Sequence, residues 1–189
     1  MGVQHSDRAV VVGIDGSTSA LQAVRWAAAE AVRRNAPLRV VTAFAWPMDR
    51  IIARIGYDGA EYRETRLDVS RRSLAQAVAV AAEVLPEERV ESRLVEGHPI
   101  PVLRAESGRA QLLVVGDRGY GAIDGLLLGS VAAAMATHAE CPVVLVRTED
   151  GRAPVGDRAR PIVVGVDGSP VSEPALAFAF EQADAHGVA

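Results

Sequence analysis

Short apolar runs alternate along the chain with longer stretches in which apolar residues recur every three or four positions. The run 9–14 is rich in β-branched residues and is closed by Asp15-Gly16-Ser17, which predicts a strand buried on both faces. Residues 90–95 instead alternate between apolar and charged side chains, which is typical of a partly exposed edge strand. The remaining runs predict strands at 38–44, 112–115 and 143–146.

Helices are predicted between these strands. Ser19 and Gln22 have the spacing of a capping box, and the apolar residues that follow share one helical face, so the first helix should begin near Ser19. Pro86 ends the second helical pattern, because a proline cannot continue a helix. The other helices are expected at about 61–85, 99–107 and 130–139, with a long loop over 45–60.

This alternation predicts an α/β fold built from βαβ units around a parallel sheet. Because crossovers between parallel strands are right-handed, helices should cover both faces of the sheet. The natural arrangement is a doubly wound five-stranded sheet in the order 3-2-1-4-5. In that order the first and fourth strands are neighbours, and ligands bind in the crevice outside their carboxyl ends. The loops at 15–19 and 116–129 fall at those two strand ends.

The end of the chain repeats its beginning. Nine positions are identical between residues 9–37 and residues 161–189, at an offset of 152. The segment between the two copies is polar and contains glycine and proline, a composition typical of linkers. The sequence therefore predicts a complete domain over 1–148, a linker over 149–160, and a truncated second copy over 161–189 with one strand and one helix.

Composition narrows the classes of function. The net charge of −4 favours neither nucleic acid nor an anionic membrane as a partner, and no stretch is apolar and long enough to cross a bilayer. All 20 basic residues are arginines, which excludes a Schiff-base lysine and a Walker-type lysine. With a single cysteine, Cys141, and no secretory signal, we expect a cytoplasmic protein with an inert thiol.

Residues 116–130 read GDRGYGAIDGLLLGS and contain the pattern G-x2-G-x9-G-S. Glycines permit positive φ angles and a close approach of the backbone to a ligand. Ser130 stands where a helix should begin, and free N–H groups at a helix N-terminus favour phosphate. Arg118 would add a fork of donors for the same anion. A glycine-rich surface turn is the alternative interpretation.

Asp15 ends the first strand, where its carboxylate suits either a ligand or a turn. It would hold a divalent cation that bridges phosphates, or accept a hydrogen bond from a ribose or an adenine edge. Equally, an aspartate at a strand end often caps a turn or a helix. The arginines at 63, 66, 71 and 72 on the second helix are interpreted as a solvated face.

Three segments together resemble the universal stress protein family. They are Val-Val-Gly-Ile-Asp-Gly-Ser near the start, Val-Val-Gly-Asp-Arg-Gly followed by Leu-Leu-Leu-Gly-Ser-Val, and His-Ala-Glu-Cys-Pro-Val-Val-Leu-Val. The resemblance covers residues 8–147 and, in part, 160–189. The spacing G-x2-G-x9-G-S is similar to that of the ATP-binding members, so the resemblance implies ATP with Mg²⁺ or Mn²⁺ as the ligand.

The resemblance also implies which residues would bind ATP. They are Gly13, Ile14, Asp15, Ser17, Ala43, Gly116, Arg118, Gly119, Gly129, Ser130, Val131 and Ala132. The backbone of Ala43 would meet adenine, and Asp15 would contact the metal ion of the bound nucleotide. Asp117 departs from the family, because a small serine is more usual there. A carboxylate close to phosphates is unfavourable unless it faces solvent or a metal.

The leading hypothesis is an ATP-binding universal stress protein that acts as a nucleotide-dependent stress-response regulator, with slow hydrolysis or none. One alternative is a nucleotide hydrolase or adenylyl-transfer enzyme on the same fold, and another is an interaction module that has lost nucleotide binding. Val143–Val146 would form a bare apolar edge of the sheet. In the family this strand pairs domains, so a homodimer through Val143–Val146 is expected.

Overall fold

The computed structural model describes residues 8–45, 59–119, 128–147 and 161–188. The chain divides into two compact units, Met1–Ala153 and Pro154–Ala189. The predicted linker over 149–160 and two glycines of the segment 116–130, Gly121 and Gly125, lie outside the described residues.

The first unit is built on a five-stranded parallel sheet with the strand order β3-β2-β1-β4-β5. This confirms the predicted fold class and strand order, with β3 and β5 at the edges. The strands are β1 (Ala9–Ile14), β2 (Leu38–Phe44), β3 (Val90–Glu96), β4 (Ala110–Gly116) and β5 (Val143–Val146).

In the part of this unit that the structure describes, four helices surround the sheet, and they pack in two pairs. The first and second helices contact each other, and so do the third and fourth. On the face of the second pair, Val11, Val41 and Leu113 of the sheet pack with Leu103 and Met135 of the helices. The helices are α1 (Thr18–Arg33), α2 (Gly59–Ala81), α3 (Pro99–Ser107) and α4 (Ser130–His138).

The position of β1 in the middle of the sheet explains why its sequence is apolar throughout. Every residue of β1 is buried, because parallel strands in the middle of a doubly wound sheet have helices on both faces. The outer strand β3 is only partly buried, as the sequence predicted, but its burial does not alternate, because Glu91 and Ser92 are both exposed and 93–95 are all half-buried. The fully buried β1 is therefore apolar throughout, whereas the partly buried β3 carries charged residues.

Helix α1 begins earlier than the sequence indicated. Ser17 is its N-cap, and the Ser17 hydroxyl accepts a hydrogen bond from the backbone N–H of Ala20 at 3.2 Å. The predicted start at Ser19 is therefore wrong, since Ser19 already lies inside the first turn. The two serines are separated by one residue, and the periodic apolar pattern alone does not distinguish them.

Helix α2 ends before the sequence indicated, at Ala81 instead of 85. The chain continues in a tight turn, in which the N–H groups of Val84 and Leu85 both donate to the carbonyl oxygen of Ala81, at 3.2 and 3.1 Å. Leu85 is still buried, with 1% of its surface exposed. The apolar period therefore extends beyond the helix because the turn returns Leu85 to the core.

In the second unit the described residues contain a 3₁₀ turn, Pro170–Ser172, and helix α5, Glu173–His186. The strand expected in this copy is not formed. Residues 161–167 have no regular secondary structure. A parallel strand needs neighbours for its backbone hydrogen bonds, and the described residues of this unit contain no other strand. Val163, in the middle of the apolar run, is 89% exposed.

The Asp-Gly-Ser segments of the two units nevertheless share one local geometry. The N–H of Ser17 donates to Oδ1 of Asp15 at 2.9 Å, and the N–H of Ser169 donates to Oδ1 of Asp167 at 2.9 Å. The glycine between them has a positive φ in both copies, 88° and 80°. The sequence similarity therefore extends to the backbone conformation of the turn.

Candidate functional site

A crevice opens at the carboxyl ends of β1 and β4, which the strand order places side by side. It holds a cavity of about 690 Å³, a size typical of small-molecule sites. The loop after β4, the start of α4 and one side of α2 form its walls. The cavity therefore lies at the point of the sheet where the sequence predicted a ligand.

The structure brings together nearly all the residues predicted for the site. Ser17 is the exception, since its hydroxyl caps α1 and its N–H holds Asp15, so it supports the loop without lining the cavity. The predicted residues that line the cavity are Gly13, Ile14, Asp15, Ala43, Gly116, Arg118, Gly119, Gly129, Ser130, Val131 and Ala132.

The glycines of the motif permit close contacts between chain segments. None of Gly116, Gly119 and Gly129 has a positive φ, so the conformational reason expected for them is wrong. A Cβ at Gly116 would collide with the Ser19 hydroxyl and lie 3.0 Å from the Ser19 carbonyl carbon. A Cβ at Gly119 would collide with Oδ2 of Asp15. Two of the glycines are thus explained by neighbouring protein atoms.

Asp15 connects the two loops at the mouth of the cavity. Its Oδ1 atom accepts the hydrogen bond from Ser17, which is the turn geometry that the sequence offered as one interpretation. Its Oδ2 atom lies against Gly119 on the opposite loop. The carboxylate is exposed at the mouth, so the turn geometry leaves it next to the space that a ligand would fill.

Asp117 lies beneath the loop, with 1% of its surface exposed. Its Oδ1 atom accepts a hydrogen bond from the Ser19 hydroxyl at 2.8 Å, and its Oδ2 atom is 3.6 Å from Nε of Arg118. The carboxylate therefore faces the start of α1 and the guanidinium of Arg118 instead of solvent. A donor and a positive charge together offset part of its repulsion toward an anion.

Helix α4 presents its N-terminus to the cavity. Gly129 is the N-cap, and no side chain of the described residues caps the first turn. The N–H of Gly129 donates to the carbonyl oxygen of Asp117 at 2.8 Å, which closes the base of the loop. The next residues, Ser130 to Ala132, line the cavity. An uncapped helix N-terminus attracts anions, because its N–H groups and dipole are directed at them.

One wall of the cavity was not predicted from the sequence. Arg66, Val69, Ser70 and Ser73 line it from α2, and we call these four residues the α2 wall. Thr42 of β2 also lines the cavity. The four residues recur at helical spacing, but the sequence does not say which side of α2 meets a cavity.

The arginines of α2 are exposed, as expected, except for the half-buried Arg63, but they do not share a single environment. Arg66 lines the cavity, and the guanidinium of Arg63 lies 5.8 Å from the centre of the Phe44 ring. Arg71 and Arg72 are exposed, as the sequence predicted.

The carboxylates that line the cavity suit a metal ion whose other ligands are mainly phosphate oxygens. Within the described ranges no group of three or more His, Cys, Asp or Glu side chains is placed to hold a metal ion. Asp15 and Asp117 line the cavity, but Asp117 is bonded to Ser19 beneath the loop. Mg²⁺ commonly binds one or two carboxylates together with phosphate oxygens and water. Asp15, at the cavity mouth, fits that role.

Cys141 is placed outside the cavity lining. Burial raises the pKa of its thiol to about 11, so little of the reactive thiolate exists at neutral pH. This is consistent with the expected inert thiol.

Comparison with known proteins identifies the family. The model of the universal stress protein family matches residues 8–147. The chain belongs to the universal stress protein family. It is 36% identical over 200 residues to universal stress protein Rv2005c of Mycobacterium tuberculosis, an alignment that covers 100% of this chain and 64% of the relative. The chain thus spans less than two thirds of that relative's length.

Solved structures of this family share the fold. UspA from Lactobacillus plantarum is 17% identical with a TM-score of 0.65, and the match covers 77% of this chain and 100% of that one. A universal stress protein in complex with cAMP is 34% identical with a TM-score of 0.53, and the match covers 76% of this chain and 100% of that one.

Among the described helices, none has the length and apolar character needed to cross a membrane.

Proposed function

We propose that the protein binds ATP in this crevice and acts as a nucleotide-dependent stress-response regulator, with slow hydrolysis or none. The observation that carries the proposal is the convergence of separate motifs on one cavity. Asp15 after β1, the loop of Gly116 and Gly119 after β4, and the start of α4 all border it. The 34% identical family member in complex with cAMP supports a nucleotide as the class of ligand.

The chemistry of the cavity gives the proposed ligand an orientation. The phosphates would lie at the N-terminus of α4, where Ser130 and Arg118 add donors. A Mg²⁺ or Mn²⁺ ion on the phosphates would be held by the carboxylate of Asp15. The ribose and base would then extend over β1 toward Ala43 at the end of β2. When bound, the cation would neutralise phosphate charge.

The hydrogen bonds that the cavity carboxylates already accept favour nucleotide binding without rapid hydrolysis. Phosphoryl transfer to water needs a group that orients or activates the water. The carboxylates that line the described cavity belong to Asp15 and Asp117, and both already accept hydrogen bonds from the protein. The hydrolase alternative therefore has no specific support in these contacts. The non-binding alternative depended on Asp117, whose charge is partly offset by Ser19 and Arg118.

We also propose that two copies of the chain pair through β5, the strand Val143–Val146. It lies at one edge of the sheet and has neither a charged residue nor a proline within it. Bare apolar edges are usually covered by another strand.

The single cysteine is compatible with a reducing compartment, and the cytoplasm is the proposed location.

Titration calorimetry with ATP and Mg²⁺ tests the nucleotide proposal. We expect saturable binding that Asp15→Ala weakens, while Gly165→Ala, at a position where an added Cβ meets nothing within 4 Å, leaves the affinity unchanged. A protein that gives no binding signal at millimolar ATP would refute the proposal. Phosphate release at an ordinary enzymatic rate, abolished by Asp15→Ala, would instead support the hydrolase alternative.

A further inference from the structure

We propose that the α2 wall is the surface that contacts the nucleobase, with Arg66 as its main specificity-determining residue. The inference rests on the proposed function, because it assigns one part of a bound nucleotide to one wall of the cavity. It concerns Arg66, Val69 and Thr42, which line the cavity and which the motif spacing did not identify.

The first argument is the position of the wall within the sheet. The proposed phosphate end follows β4, Thr42 belongs to β2, and β1 lies between these strands. Neighbouring strands are about 4.8 Å apart, so β4 and β2 are separated by about 10 Å. A mononucleotide is long enough to span that separation. If its phosphates lie at the start of α4, its base reaches the α2 wall.

The second argument is the chemistry of the wall, which suits a flat heteroaromatic ring. Val69 is apolar, yet 46% of its surface is exposed and it borders the cavity. It therefore offers an apolar contact to the face of a base. Arg66 carries a planar guanidinium, which stacks on aromatic rings and donates hydrogen bonds to ring nitrogens.

The third argument is that two polar side chains at this end of the cavity have no partner among the described residues. Across residues 8–45, 59–119, 128–147 and 161–188, neither the guanidinium of Arg66 nor the hydroxyl of Thr42 forms a hydrogen bond or an ion pair. Thr42 is only 4% exposed and lines the cavity. At the opposite end of the cavity Arg118 lies 3.6 Å from Asp117. The acceptor atoms of a base edge would satisfy both groups.

The test compares nucleotides that share a base but differ in phosphate number. Calorimetry with ATP and with AMP, each with Mg²⁺, is performed on the full chain and on Arg66→Ala. Because the base is common to both ligands, we expect the Kd to rise by about tenfold for both. Arg66→Lys keeps the charge but loses the planar group, so it should not restore the affinity.

The matched control is Arg72→Ala on the same helix, since Arg72 is exposed and does not line the cavity. It should leave both affinities unchanged, and circular dichroism should show native helix content in every variant. A loss confined to ATP, or restored by Arg66→Lys, would assign Arg66 to phosphate and overturn the inference. Equal affinities in the Arg66 and Arg72 variants would overturn it as well. If the unaltered chain binds neither nucleotide, the proposed function fails first and the inference fails with it.

Discussion

The hydroxyl of Ser19 donates a hydrogen bond to Oδ1 of Asp117 at 2.8 Å, although 98 positions separate the two residues in the sequence. The bond joins the first turn of α1 to the loop after β4, and Ser19 and Asp117 are only 8% and 1% exposed. The negative carboxylate also lies at the N-terminus of a helix, where it is favourable. This hydrogen bond therefore connects the two chain segments that border the cavity, at a buried position beneath it.

We predict that Asp117→Ser lowers stability instead of tightening ATP binding. A buried hydrogen bond to a charged group contributes about 1.5–3 kcal/mol, so Asp117→Ser and Ser19→Ala should each lower the free energy of unfolding by about 2 kcal/mol. Their effects should be less than additive, because both remove the same bond. Urea denaturation measures this, with the exposed Thr137→Ala as control. Fully additive losses, or tighter ATP binding by Asp117→Ser, would contradict the structural role.

Two glycines of the same motif should respond differently to alanine. At Gly116 the new Cβ would lie 3.0 Å from backbone of α1, at the carbonyl carbon of Ser19. The helix would have to shift, at a cost of about 1–3 kcal/mol of stability. At Gly119 the new Cβ meets only the end of the Asp15 side chain, which can rotate away. We therefore expect Gly119→Ala to fold normally and to bind ATP more weakly.

Thermal denaturation together with calorimetry separates the two effects. Gly165→Ala is the matched control, because a Cβ there has open space. Equal losses of stability in the Gly116 and Gly119 variants would show that both glycines serve packing alone.

The sequence was sufficient to predict the sheet because each strand carries its own burial pattern. The continuous apolar run of β1 marks a strand with helices on two faces, and the charged residues within β3 mark an edge strand, whereas the edge strand β5 remains apolar. The positions of Asp15 and the Gly116 loop then followed from the strand order, since topology alone brings those strand ends together.

Other features could not be predicted because they depend on contacts between distant segments. Ser19 carries the signature of a helix cap, but its hydroxyl instead bonds a carboxylate on another loop. Arg66 has the same local pattern as the exposed Arg72, and only the rotation of α2 against the cavity distinguishes them. The run at 161–167 has strand character, but a strand also requires neighbours.

The proposed β5 edge yields a prediction about oligomeric state. The carbonyl oxygens of Pro142 and Val146 accept hydrogen bonds from Leu113 and Asp117 on the β4 side, at 3.0 and 2.9 Å. Because backbone directions alternate along a strand, the N–H of Leu145 points outward from the sheet. Leu145→Pro removes that donor and should abolish a dimer that forms by strand pairing.

Light scattering at high protein concentration measures the result. Leu145→Ala removes the same side chain but keeps the N–H, so it should remain more dimeric than Leu145→Pro. A monomeric unaltered chain, or dimers that persist equally in both variants, would show that β5 does not pair with a second copy.

Glu30 provides a prediction about pH dependence. It has no exposed surface, and its carboxylate accepts hydrogen bonds from Nε of Arg33 at 2.8 Å and Nε of Arg34 at 2.6 Å. Burial by itself raises the pKa of Glu30, but the bonds from Arg34 and Arg33 outweigh burial, so the pKa lies below its ordinary value. A carboxyl whose pKa is lower in the folded state stabilises the fold above its unfolded pKa of about 4.3.

We therefore expect Glu30→Ala to lower the free energy of unfolding by about 2 kcal/mol at pH 7. The difference from the unaltered chain should narrow as the pH falls below about 4, because protonation then removes the same charge from the unaltered chain. Urea denaturation at pH 7, 5 and 3.5 measures this on samples that remain folded. Glu64→Ala is the matched control, since its pair with Arg71 at 2.8 Å is exposed and should contribute little. A difference for Glu30→Ala that stays constant over this range would show that packing, and not charge, accounts for the loss.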